Sequence, residues 1–179
     1  MIGMALAMII GAGALSSYLF LGRNLTRLAN IQQQQVNSRR VLQTFTQDIS
    51  AGVSISSASS AQLTFIKQKS NSTATVITTV TYTYTPCAAG ANTGTLTRVE
   101  ATTTPTPTSA TTTLISNLTT ATGGFAYYDG AGNATATLQT IKSVELTFTS
   151  SAGTAGTGTL AGYSMVSPRV LLRNKPTLL

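Results

Sequence analysis

Three regimes of hydrophobic spacing follow one another along this chain. From Met1 to Gly22 no residue is charged. The run MIGMALAMIIGAGALSSYLFLG is apolar on every side, and as a helix it would be about 33 Å long, close to a bilayer core. Gly3, Gly11, Gly13 and several alanines keep one side small, which suits close helix packing in lipid. Tyr18 and Phe20 fall where interfacial aromatics sit, just before Arg23. A cleaved signal peptide has a basic start and a shorter apolar core, so the expectation here is a membrane helix.

The second regime is Arg23 to Ser50, which has neither Pro nor Gly. Leu25, Leu28, Ile31, Val36, Leu42, Phe45 and Ile49 recur mostly at three- and four-residue spacings, and Gln32 to Gln35 with Arg39 and Arg40 fill the other faces. That is the period of an amphipathic helix continuing the apolar one. The joined helix would span about 75 Å over roughly 50 residues and stop near Ala51-Gly52. Its candidate packing positions are Gly3, Leu6, Ile10, Gly11, Leu15, Leu25, Leu28 and Ile31.

After Gly52 the period shortens to two. Gln62 to Lys67 alternates, and Ala74 to Thr85 is a long β-prone stretch with Tyr82 and Tyr84 on one face. Thr95 to Thr102 is its expected partner across the loop PCAAGANTG, making a hairpin. Ala101 to Thr113, ATTTPTPTSATTT, reads as an exposed loop or linker. Leu114 to Leu118 is a short apolar element. Gly124 to Asp129 is a strand that ends in the turn DGAGN, and Lys142 to Thr149 alternates with Val144, Leu146 and Phe148 on one face. Ser151 to Gly162 reads as a flexible turn, and Tyr163 to Arg173 as a final strand. One long helix followed by strands on short turns predicts an α+β fold with an antiparallel head. The expected divisions are residues 1–22, 23–51 and 52–179.

Composition adjusts this picture. Only 8% of the 179 residues are charged, and Thr makes up roughly a fifth of the chain, where soluble domains carry about 25% charged residues. The expected surface is hydroxyl-lined rather than ion-paired. The net charge of +7 places Arg23, Arg27, Arg39 and Arg40 just beyond the apolar segment. That fits a membrane-proximal helix better than a nucleic-acid groove. The single cysteine, Cys87, cannot form an internal disulfide and is expected to be a loop thiol after Pro86.

Candidate chemistry is sparse. The chain has no His, which rules out a Ser-His-Asp triad and leaves zinc short of ligands. Its acids are Asp48, Glu100, Asp129 and Glu145. Asp48 is expected near the helix end, Glu100 and Glu145 on the polar phase of strands, and Asp129 at a turn. Asp129 to Asn133 offers calcium too few carboxylates. No catalytic, metal or cofactor residue is assigned, and a structural, non-enzymatic protein is the expectation. The alternatives are a signal-anchored adhesin or surface-binding module and, further off, a tethered hydrolase using a Ser or Thr.

The order of these pieces resembles the type IV pilin-like superfamily, and most of all the minor pseudopilins of the J type and the W-type minor pilins. The likeness runs from MIGMALAMIIGAGALSSYLFLGRN through ANIQQQQVNSRRVLQTFTQDISAG, where Gln47 to Ala51 matches the Asp-containing turn at the helix end. It continues through TYTYT, Gly94 to Arg98 and Phe125 to Asp129, and closes with Val170 to Asn174. The resemblance implies a subunit held in the inner membrane by its apolar helix, with its head in the periplasm or outside. Its implied partners are other pilins or pseudopilins and an inner-membrane assembly platform, in a type IV pilus, type II secretion or DNA-uptake machine. No nucleic-acid contact and no cofactor are implied. The family's basic leader and following glutamate are not present, and Met1-Ile2-Gly3-Met4 reads as the continuation of that signature. Basic residues after the helix would place the head in the cytoplasm by charge alone, an expectation that an upstream basic leader reverses.

Overall fold

A computed structural model describes residues 2–70, 75–87, 94–103, 107–118, 123–152 and 161–173. It has one long helix followed by an antiparallel sheet, an α+β fold. The helix α1, Ile2–Ser50, is continuous. Leu, Ala, Gln, Arg and Met dominate it and are good helix formers, and no proline interrupts it. Two compact units divide the chain, Met1–Val36 and Asn37–Leu179, so the head begins inside the helix.

In the head, β1 (Gly52–Ala58), β2 (Gln62–Ser70), β3 (Thr75–Thr85), β4 (Gly94–Thr102) and β5 (Thr108–Leu118) form an antiparallel meander in chain order. The expected hairpin is present: β3 pairs β4 from Thr78↔Thr102 to Thr85↔Thr95. The register explains the core. Leu63 and Phe65 of β2 stand opposite Tyr82 and Val80 of β3, and Tyr82 and Tyr84 stand opposite Arg98 and Leu96 of β4. One face therefore collects Leu63, Phe65, Val80, Tyr82, Tyr84 and Leu96, all buried. Val41, Phe45 and Ile49 of α1 join the same core. Phe45 meets the Tyr82 ring edge-on at 5.4 Å and stacks on Phe125 at 6.1 Å, geometries that aromatic pairs favour.

The rest of the sheet is organised by β7 (Ser143–Ala152). Ser150 pairs both Leu118 of β5 and Tyr163 of β8 (Ala161–Val166), so these lie on opposite edges of β7. Strand β6 (Gly124–Tyr128) takes the same edge as β5, and β9 (Val170–Leu171) the same edge as β8. Val144, Leu146 and Phe148 are buried together as their alternation predicts. Gly124 has φ +126°, and a Cβ there would stand 1.9 Å from the Ser60 carbonyl oxygen. Only glycine lets β6 lie against the β1–β2 turn, where Phe125 N donates to Ser60 O at 2.9 Å and the Tyr127 hydroxyl to Ser59 O at 2.7 Å.

Several expectations need correction. Thr108 to Thr113 is the first half of the eleven-residue β5 and not loop. Its Thr-rich sequence suits a strand, and the apolar Leu114 to Leu118 is simply its buried end. The segment Tyr163 to Arg173 is two strands, broken where Ser167 Oγ accepts from Leu146 N at 2.7 Å and Pro168, lacking an N–H, cannot continue the ladder. Strand β1 had no clear signal in its Ser-rich sequence. Cys87 lies in a loop but is buried. The turn expected at Ser151 to Gly162 falls mostly outside the described residues, apart from the β7 end and β8 start.

Candidate functional site

Two features of the molecule call for a role. The first is the N-terminal part of α1, from Ile2 to Val36. It is long and apolar enough to cross a membrane, and no part of its most apolar window is buried. Among the candidate packing positions, Ile10, Leu15, Leu25 and Leu28 are exposed, at 66, 62, 67 and 57%. Ile31 is half-buried, and the Leu6 side chain falls outside the described residues. A Cβ built on Gly3 or Gly11 meets nothing within 4 Å. Glycines in such open space are not demanded by the fold of the chain itself. What they leave is a smooth helix surface that another helix can approach closely.

The second feature was not legible as a unit in the sequence: a charge cluster where α1 meets the sheet. Asp48 follows Phe45 by three residues and precedes Ile49, so it lies on the buried side of the helix. Beneath it the core face of the meander passes from apolar to charged. Lys67 continues the Leu63, Phe65 phase of β2, and Arg98 and Glu100 continue the Leu96 phase of β4. Glu100 stands opposite the buried Val80, so the expectation that it sits on the polar phase of its strand is corrected. The pattern Leu-Thr-Arg-Val-Glu alternates, but nothing in it says which phase is inside.

The contacts are close. Asp48 Oδ1 accepts from Lys67 Nζ at 2.9 Å, and Oδ2 accepts from Arg98 Nε at 2.6 Å and the Tyr82 hydroxyl at 2.7 Å. Glu100 completes the cluster, with Oε1 3.3 Å from Lys67 Nζ and Oε2 2.7 Å from Arg98 Nη1. Two acids and two bases balance. Burial pushes the Asp48 carboxyl up, but hydrogen bonds from Arg98, Lys67 and Tyr82 outweigh it and hold the group below the ordinary carboxylate range. Glu100 is likewise held low: burial raises it, and Arg98 and Lys67 more than compensate. The Tyr82 hydroxyl is pushed well up, first by burial and then by the Asp48 charge. Arg98 is raised by its two carboxylates against the opposing effect of burial.

Three smaller features accompany the cluster. Asp129 Oδ1 accepts from the backbone N–H of Ala131 and Asn133 at 2.9 and 2.8 Å, the turn role expected of it. Those N–H groups, Asn133 first, hold its carboxyl below the usual range. Arg169 lies over the Tyr128 ring at 3.7 Å and reaches Glu145 Oε2 at 3.4 Å. A polar cleft of about 360 Å³ opens beside Arg98, lined by Asn37, Arg40, Thr44, Thr112 and Thr113 among others. Among the described residues no three His, Cys, Asp or Glu side chains gather to hold a metal. No protein-family model, curated protein or solved structure matches this chain.

Proposed function

We propose that this chain is a membrane-anchored structural subunit of the pilin-like kind, a minor pilin or pseudopilin that assembles into the tip or body of a type IV pilus or type II secretion pseudopilus. The observation that carries this reading is the division of labour within α1. Among the described residues the large apolar side chains from Ile2 to Val36 are mostly exposed, while Val41, Phe45 and Ile49 are buried in the head. A helix satisfies its own backbone in lipid. Lipid and a bundle of like helices are both settings of low polarity, so the same surface can pass from one to the other at modest cost. Its partners are then other pilins or pseudopilins and an inner-membrane platform, with the head in the periplasm or outside the cell.

Filament incorporation tests this. Gly11→Leu, which fills the open surface at Gly11, and Leu28→Asp, which charges it, are each expected to abolish incorporation while the head stays folded by circular dichroism. Normal incorporation of both variants would sink the reading. Exchanging Ile2 to Gly22 for an unrelated transmembrane sequence separates the signal-anchored adhesin. An adhesin keeps its surface binding after the exchange, because only the anchor has changed. A filament subunit is lost from the assembly.

A further inference from the structure

We propose that Asp48 and Lys67 condense to an intramolecular amide, a covalent tie between the end of α1 and β2. Lys67 Nζ lies 2.9 Å from Asp48 Oδ1, so the nitrogen is already at the carboxyl group it would attack. The other oxygen, Oδ2, accepts from both Arg98 Nε at 2.6 Å and the Tyr82 hydroxyl at 2.7 Å. Those two donors polarise the carboxyl and hold the oxygen that carries negative charge in a tetrahedral intermediate. Glu100 Oε1, 3.3 Å from the same Nζ, is placed to take a proton from the ammonium and free its lone pair. One helix end and three adjacent strands fix these five groups, which removes most of the orientational cost of bringing them together.

The reaction balances within the chain. The Lys67 Nζ–Asp48 Cγ bond forms and the Cγ–Oδ1 bond breaks. Of the three ammonium protons, one passes through Glu100 and a second directly to Oδ1, which leaves as water. The third stays on the amide nitrogen, and Oδ2 becomes the amide carbonyl, still facing Arg98 and Tyr82. Glu100 returns to its carboxylate, and no oxidant or other reactant is consumed. The product removes two partly buried charges from the cluster, and such charges are costly to hold away from water. Arg98 and Glu100 remain, 2.7 Å apart, and neutralise each other. The Glu100 side chain is 36% exposed, which gives the released water a way out. Arg98 also keeps Asp48 ionised before reaction, which slows the attack, so the bond forms as a slow maturation of the folded chain. In a protein whose single cysteine allows no internal disulfide, the amide would be a cross-link that reducing agents cannot open. It stands independently of the filament reading.

The test is the intact mass of the full chain, purified from membranes in detergent and incubated at neutral pH until the mass is constant. The expected result is a chain lighter than its sequence by one water. Trypsin should release a peptide from Val41 to Lys69, uncut at Lys67, that yields no sequence fragments between Asp48 and Lys67. Lys67→Arg should restore the full mass. Glu100→Gln should abolish or greatly slow the water loss in a chain that circular dichroism shows to be folded. A full sequence mass in the unaltered chain overturns the proposal. So does a water loss that maps to Asp129-Gly130, where an Asp-Gly succinimide sheds the same mass. Cross-linking of Glu100→Gln at the unaltered rate overturns the role given to Glu100.

Discussion

The two stretches of α1 use the same residue types to opposite ends. In Met1–Val36, Met8, Ile9, Ile10 and Leu15 are all more than 60% exposed; in the head, Val41, Phe45 and Ile49 are at most 3% exposed. Apolarity therefore does not locate the core of this chain. The presence of a sheet face in the correct register does. Phe45 is buried because Tyr82 and Phe125 meet it. Leu25, by contrast, is 67% exposed. On the proposed function, lipid or another subunit would cover the first stretch, whereas the second is covered within the head.

The widest contrast is expected from aromatic truncation. Phe45→Ala removes a fully buried ring that touches two others, and a change of that kind costs about 3–5 kcal/mol. Phe20→Ala, at a position 68% exposed, should leave head stability within about 0.5 kcal/mol of the parent. Urea unfolding of the head, followed by tyrosine fluorescence in the detergent-solubilised chain, measures both. A similar loss from both variants would break the comparison, because it would mean that the first stretch also contributes to the folded head.

The charge cluster should come next. Asp48→Asn leaves Arg98 and Lys67 short of a counter-charge beside the core, and breaking a buried pair in this way costs about 3 kcal/mol. The sign of its pH dependence follows from the direction of the shifts. Asp48 and Glu100 are held below the ordinary carboxylate value in the folded chain. Their contribution is therefore complete above about pH 5 and is lost progressively as the pH falls below that through their lowered folded-state values. Urea midpoints across an acid series should show this decline in parent chain of full sequence mass, taken before any Asp48–Lys67 amide forms, since the amide leaves Asp48 nothing to titrate. In Asp48→Asn the decline should be shallower but not absent, since Glu100 and Asp129 still titrate with lowered values. An unchanged acid limb in the variant would remove Asp48 from the account.

A smaller effect of opposite sign is expected at Ser38. Its hydroxyl is buried and has no hydrogen-bond partner in the structure. Burying such a group without a partner is unfavourable, so Ser38→Ala should stabilise the head by up to about 1 kcal/mol. A loss of stability would show that the hydroxyl is bonded, for instance to an internal water.

The long helix, the β3–β4 hairpin and the alternation of Val144, Leu146 and Phe148 were legible because local period and burial agree there. The head's entry into the helix at Asn37 was not. Leu28 and Leu42 satisfy the same helical spacing, and only the distant strands decide which of them is covered. The cluster was hidden for a related reason. Asp48, Lys67, Arg98 and Glu100 are spread over 53 positions, from 48 to 100, and only the β2–β3–β4 register gathers them. β5 was concealed by composition, since TSATTT carries neither charge nor large apolar residues and reads as linker until β4 pairs with it.

The smallest and cleanest comparison uses one residue type. Val36 and Val41 are five positions apart in the same helix, on either side of the point where the head begins, and are 60 and 3% exposed. Helix propensity affects both equally, so replacement of each by Ala gains the same intrinsic term and differs only in burial. Val41→Ala should cost about 2 kcal/mol, the worth of a buried valine side chain. Val36→Ala should change head stability by less than about 0.5 kcal/mol in the isolated subunit. In the assembled filament the comparison sharpens. If a neighbouring helix covers Val36, Val36→Ala should lower the temperature at which filaments dissociate although the subunit's own unfolding is unmoved. If Val36 remains uncovered, both measurements stay at the parent value and the packing surface ends before residue 36.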